Sequence, residues 1–237
     1  MSLIAQPSGL IPAYHPTGEI RSIAHIGILL PGTNVTILKG QAVFMARGTG
    51  AVVNGVTIPA GQMYLAPFNI ASVGNAGSAL TTQSLVDAQA ILGVFAGVEY
   101  FDVTGFPQES NFWPAGQLTF PGTTTVVFLW QDPLIEYTIQ TDSALTVATI
   151  IGDGFSRFST SQASMSLANM ANGSAITGLG QATMLGGSAN NTAGSNRAFQ
   201  ITKTDPTVLN ITPADPFLQF QVRIANPQTG GKLPAST

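Results

Sequence analysis

Apolar residues in this chain come in short runs, many of them alternating with polar or small residues, and the runs stop at Gly, Pro, Asn-Gly or Asp-Gly. A period of two is what a half-buried strand requires, because successive side chains point to opposite faces. The clearest strand is TTTVVFLWQ (residues 123–131), stopped by Asp132-Pro133. FLQFQVRIA (217–225) alternates well enough to have one wet face, and Val98, Tyr100 and Val103 alternate loosely with Glu99 and Asp102. Upstream, NVTIL (34–38), QAVFMA (41–46), AVVNGVTI (51–58) and QMYLAPFNIA (62–71) are rich in β-branched and aromatic residues. Asn54-Gly55 between two valine-containing runs is a strong hairpin signal, and Lys39-Gly40 and Ala60-Gly61 punctuate the rest. Further strands are predicted over 134–140, 145–151, 199–203 and 207–211, with a turn at Asp153-Gly154.

Helical periodicity is confined to two short stretches. Thr81 or Thr82 can cap a helix over 84–92, where Leu85, Val86, Ala88 and Ile91 form one apolar side. A second is predicted over 161–172, ended by Gly173, inside a Ser/Ala/Gly/Asn-rich region (156–197) whose GGSANNTAGSN run (186–196) reads as a surface loop. Residues 1–33 carry Pro7, Pro12, Pro16 and Pro31, a density that disfavours helix and central strand alike. They are predicted to form an extended arm, with one strand over 20–30, whose Leu3, Ile4, Leu10, Ile11 and Tyr14 dock on a neighbouring subunit. The expected organisation is an N-terminal arm (1–33), a β domain (34–225) in which 34–75 can form a subdomain, and a C-terminal tail (226–237). The fold class expected is mostly β: an antiparallel sandwich or barrel, jelly-roll-like, with that arm and one or two short helices.

The most informative stretch is aromatic: LGVFAGVEYFDVTGFPQESNFWPAG (92–116), followed by VFLWQDPLIEYTIQTD (127–142). Phe95, Tyr100, Phe112, Trp113, Trp130 and Tyr137 are the predicted core or interface anchors, since side chains of this size dominate core and interface energetics. The two blocks resemble a family of tailed-phage virion structural proteins similar to capsid cement or decoration proteins. That pattern has an LGVF…GVEY…SN.WPAG block and then a proline turn before an aromatic and Q.D. Gln131-Asp132-Pro133 stands here where an acidic pair before the proline is common. The resemblance covers the middle of the chain; the flanks share only composition with the family.

Composition changes the picture in one respect. Only 8% of the 237 residues are charged, against about 25% in an ordinary soluble protein. A surface so poor in charge suits a protein that spends its life assembled. The net charge of −3 and the scattered eight Lys plus Arg argue against a nucleic-acid partner. Absence of cysteine removes disulfides and thiolate metal sites. No 18-residue apolar run predicts a membrane span, and the first residues lack the basic start and apolar core of a signal peptide.

Catalytic chemistry is not predicted. His15 and His25 lack a Cys, Asp or Glu at ligand spacing and read as surface or interface histidines. Glu99 and Asp102 lie three apart on a predicted strand and so face opposite sides, unlike a glycosidase pair. There is no G-x-S-x-G elbow or P-loop, and Gly178-Leu179-Gly180 lacks the strand–helix setting of a dinucleotide site. The four N-x-S/T sequons, at Asn34, Asn172, Asn190 and Asn210, are expected by chance in such a composition. No enzyme activity, cofactor or metal is therefore expected. The resemblance implies a virion component made in the host cytoplasm. It would bind the capsid surface, with the major capsid protein and further copies of itself as partners, as a homotrimer or a dimer. The alternative is a receptor- or glycan-binding head-fibre or tail-associated adhesin, for which the tryptophans would stack on sugars.

Overall fold

The computed structural model of the chain describes residues 9–32, 36–47, 50, 52–53, 56–57, 59–67, 91–140, 154–155, 199–204 and 219–224. Among them every regular element is a strand and every pairing is antiparallel. One sheet has five strands: β1 (Ile11–Tyr14), β12 (Glu136–Gln140), β15 (Gln219–Ile224), β14 (Phe199–Thr204) and β13 (Gly154–Phe155), in that spatial order. The other runs β2 (Ile23–Ile26), β11 (Val126–Trp130), β8 (Gly93–Phe101), β4 (Ala42–Arg47) and β7 (Met63–Pro67), with β9 (Pro107–Ser110) added alongside β8. Two small ladders complete the described set: β3 (Ile37–Leu38) with β10 (Phe112–Trp113), and β5 (Val52–Val53) with β6 (Val56–Thr57), the two strands that flank the predicted turn, whose own residues lie outside the described ones.

β8 is the strand around which the second sheet is built. Two partners divide one edge: β4 takes the start (Ala42 opposite Val94) and β9 the end (Phe101 opposite Pro107), while β11 lines the other edge from Val94 to Glu99. Both faces of its first half are covered, so Val94 and Phe95, which point opposite ways, are each fully buried. Val94 joins a cluster that spans the two large sheets and includes Ile135, Tyr137, Phe199 and Val222. Phe95 and Val98 join a second cluster with Ile37, Leu65, Trp113, Val127 and Leu129 on the opposite face. Each such side chain contributes on the order of 1.5–3 kcal/mol when fully buried. The smallness of Gly93 is required here: a Cβ would lie 2.7 Å from the Trp130 carbonyl oxygen and 2.8 Å from Gln131 Cγ.

Residues 9–32, expected as part of an extended arm docking on a neighbouring subunit, instead join the chain's own sheets. β1 and β2 are edge strands of the two large sheets, pairing with β12 and β11 respectively. Leu10 is fully buried in the chain's own core, and its N–H donates to the Gly40 carbonyl at 2.7 Å. The proline argument fails because an edge strand bonds on one side only. Pro12 can sit at such an edge, where its missing N–H need not leave a gap in a ladder. The pairing is irregular between Pro12 and Tyr14. The strand expected somewhere in 20–30 is β2.

The helix expected over 84–92 does not reach its end. Leu92 donates its N–H to the Val43 carbonyl at 2.9 Å and leads directly into β8, so sheet hydrogen bonding takes residues that a helical pattern had claimed. Residues 84–90, the second expected helix (161–172) and the strands expected over 145–151 and 207–211 lie outside the described residues. β4 pairs with both β7 and β8, so β4 and β7 share a sheet with the aromatic block, whereas β5 and β6 pair with each other in a separate ladder.

Candidate interaction surface

β8 and β9 form a hairpin whose tip is organised by one carboxylate. Asp102 Oδ1 accepts from the Thr104 N–H (2.9 Å), the Thr104 hydroxyl (2.6 Å) and the Phe106 N–H (3.1 Å), and Oδ2 accepts from Gln108 Nε2 (3.0 Å). The backbone closes around it, with Asp102 N–H donating to Phe106 O and Gly105 N–H to Asp102 O, both at 2.9 Å. The Thr104 side-chain bond, aided by those from Phe106, the Thr104 backbone and Gln108, outweighs partial desolvation and holds this carboxyl below the ordinary aspartate range. Gly105 adopts φ +88°, a conformation other residues enter only with strain, and the Phe120 ring lies against it.

This ordered tip presents an apolar surface to solvent. Phe106 is 67% exposed, Leu118 58% and Val103 57%, and Phe101 and Phe120 are also exposed. The Phe120 N–H donates to Phe101 O at 3.0 Å, which brings the 118–120 segment alongside the hairpin. Neighbouring it is a groove of about 330 Å³ lined by Tyr100, Phe101, Pro107, Thr124, Val126 and the carboxylates Glu99 and Glu109. Glu99 and Glu109 are directly opposite in the β8–β9 ladder and therefore share a face. Among the described residues no cation pairs with either of them.

A second concavity, of about 370 Å³, is lined by Leu10, Ile11, Pro12, Ile20, Lys39, Gly40 and Trp130. The Lys39 ammonium lies 5.8 Å from the centre of the Trp130 ring and 3.5 Å from Asn111 Oδ1. Between β1 and β2, His15 is buried; its Nδ1 accepts from the Thr17 N–H at 3.2 Å, and its Nε2 lies 3.2 Å from Asp132 Oδ2 but off line for a hydrogen bond. His25 Nε2 is 2.7 Å from Gln131 Oε1. His15, expected as a surface or interface histidine, is buried within the chain, with the Asp132 side chain against its ring. Among the described residues no group of three or more His, Asp or Glu is arranged to hold a metal ion.

The predicted anchors divide in two. Phe95, Trp113 and Tyr137 are fully buried, whereas Tyr100, Phe112 and Trp130 are half-buried. Tyr100 meets Trp113 edge-to-face with centroids 5.3 Å apart, and Tyr137 donates its hydroxyl to the Trp130 carbonyl at 3.0 Å. Burial, reinforced by Asp132, pushes the Tyr137 phenol well above the ordinary tyrosine range. Trp113 cannot stack on a sugar, since none of its surface is open. Of the expected arm contacts, Leu10 is internal, Ile11 and Tyr14 are exposed on β1, and Leu3 and Ile4 lie outside the described residues. The tip residues Val103, Phe106, Leu118 and Phe120 were not expected as a surface. Their sequence signal is two apolar residues flanking Thr104-Gly105, side chains that a turn cannot bury. No protein-family model matches this sequence, and no curated protein or solved structure is significantly similar to it.

Proposed function

We propose that this chain is a phage capsid decoration protein, which binds the outer surface of the shell and stabilises it by bridging neighbouring major capsid protein subunits. The observation that carries this reading is the apolar hairpin tip on a chain with only 8% charged residues. A contiguous exposed patch of this kind marks an interaction site. Holding it rigid through Asp102 removes part of the ordering cost of binding. The word capsid comes from the resemblance of residues 92–116 and 127–142 to virion structural proteins. In this reading the two large sheets form a jelly-roll-like sandwich that presents the tip to the shell, as a trimer at threefold positions or a dimer at twofold ones. Burying one exposed phenylalanine contributes on the order of 1.5–3 kcal/mol, which is modest for one copy and large when multiplied over a lattice.

Copy number tests the reading. A denaturing gel of purified virions is expected to show a 24.5 kDa band close in molar intensity to the major capsid protein. Shells carrying the Phe106→Asp variant are expected to lose the bound protein and to melt earlier. A few copies per particle would overturn the decoration reading and favour a fibre-borne adhesin.

A further inference from the structure

The sheet built on β8 ends at β2, and the outer side of that strand is open. The Gly27 N–H donates to the Thr125 carbonyl at 2.9 Å, which sets the phase of the β2–β11 ladder. Alternation along an antiparallel ladder then aims the N–H and C=O groups of Ile23 and His25 at β11, and those of Ala24 and Ile26 away from it. Among the described residues no strand and no backbone hydrogen bond meets those outward groups. Ile23 is 49% exposed and Ile26 70%, on opposite faces of the strand, and Ala24 between them is exposed as well. The outer side closes only past β2, where Leu65 donates its N–H to the Ile28 carbonyl at 2.7 Å.

A free edge strand is a template for pairing with another chain, and folded proteins blunt such edges with proline, charge, irregularity or shortness. The other outermost strands of the two large sheets show these devices. β1 carries Pro12 and an irregular ladder, β9 carries Pro107 and Glu109, β13 has two residues, and β7 ends at Pro67 with Leu65 already bonded to Ile28. β2 has none of them: it holds no proline and no Asp, Glu, Lys or Arg, and the charges just before it, Glu19 and Arg21, pair with each other at 2.6 Å. Such an edge fits an extended, uncharged strand with outward groups of its own. Among the described outermost strands the chain offers one of that kind, β2 itself. We propose that β2 pairs with β2 of a second copy, antiparallel across a twofold axis, so that each copy supplies both donors and acceptors and the sheet continues through the interface. The added strand covers Ile23 on one face and Ile26 on the other. The pairing needs no capsid, and of the two assemblies proposed above it selects the dimer.

Sedimentation equilibrium of the purified chain, with amide exchange followed residue by residue, tests it. The wild type is expected to dimerise at micromolar concentration. The Ala24 and Ile26 amides are expected to be protected in the dimer and to exchange freely on dilution, while those of Ile23 and His25, bonded to β11, stay protected throughout. Ala24→Pro removes an outward donor that the β2–β11 ladder does not use, and Ile26→Lys sets a charge on the edge. Each is expected to leave the circular dichroism spectrum unchanged and to weaken dimerisation about tenfold or more. Should the proline disturb β2, Ile26→Lys carries the comparison alone. The proposal is overturned by a wild type that remains a single 24.5 kDa species over that range, or by association in which the Ala24 and Ile26 amides stay unprotected. It is equally overturned if those two amides gain protection only on shells, which would assign the edge to a strand of the capsid. None of these outcomes alters the virion copy number that tests the decoration reading.

Discussion

Individual residues matter most here where two strands come unusually close. Gly93 has the Trp130 carbonyl oxygen where its Cβ would be, and that atom belongs to the backbone of β11. Gly93→Ala therefore must push the two strands apart, an overpacking change worth about 1–3 kcal/mol. For a protein of this size each kcal/mol lowers the melting temperature by about 2–4 °C, and an unchanged melting temperature would remove the argument. Trp113 is a different case: fully buried and set edge-to-face on Tyr100, it leaves a large void when truncated. Trp113→Ala is expected to cost about 3–5 kcal/mol, and Trp130→Ala, at a half-buried position, clearly less. Equal losses in chemical denaturation would show that burial is not what separates the two.

At the scale of elements, the hairpin tip and the N-terminal strands carry the clearest expectations. The Asp102 carboxyl is held below its unfolded value, so its support for the tip is complete above the unfolded value, about pH 4. That support is lost as pH falls through the folded value. The Thr104 and Phe106 amide resonances are expected to shift together with a midpoint below the ordinary aspartate value, and to stay put in Asp102→Asn. A midpoint at or above the ordinary value would contradict the hydrogen-bonding account. Deletion of residues 2–18 removes β1 and the fully buried Leu10. Losing Leu10 alone is comparable to a buried leucine truncation, about 2–5 kcal/mol. The truncated protein is expected to melt well below the intact chain; equal melting temperatures would show that the chain's own core does not need these residues.

For the molecule as a whole, the decisive arrangement is that β8 belongs to two cores at once. Val94 packs in the cluster shared by the large sheets, while Phe95 and Val98 pack in the cluster with Trp113 and Val127. Adjacent residues of one strand cannot leave separate cores independently. Thermal unfolding followed by tryptophan fluorescence and by far-ultraviolet circular dichroism is expected to give coincident transitions in the wild type and in Trp113→Ala. Two separated transitions would mean that the clusters are independent units.

The sequence by itself determined most strands, and the reason is local. Alternation and turn residues at 123–131, 62–71 and Asn54-Gly55 act within a few neighbours, so β11, β7 and the β5–β6 hairpin were legible to within a few residues. It also marked the aromatic stretch as central. It could not tell which aromatics go inside: Trp113 and Trp130 look alike in sequence, yet β10 places one beneath a second sheet layer and β11 leaves the other beside Lys39. Nor could it show that proline-rich residues 9–32 close the edges of both large sheets, since that depends on β11 and β12, about a hundred residues away, offering free edges. The exposed tip and the facing Glu99 and Glu109 were likewise decided by strand register. A pairing between strands joined by a turn sets which side chains share a face, and periodicity alone specifies a face without naming its neighbours.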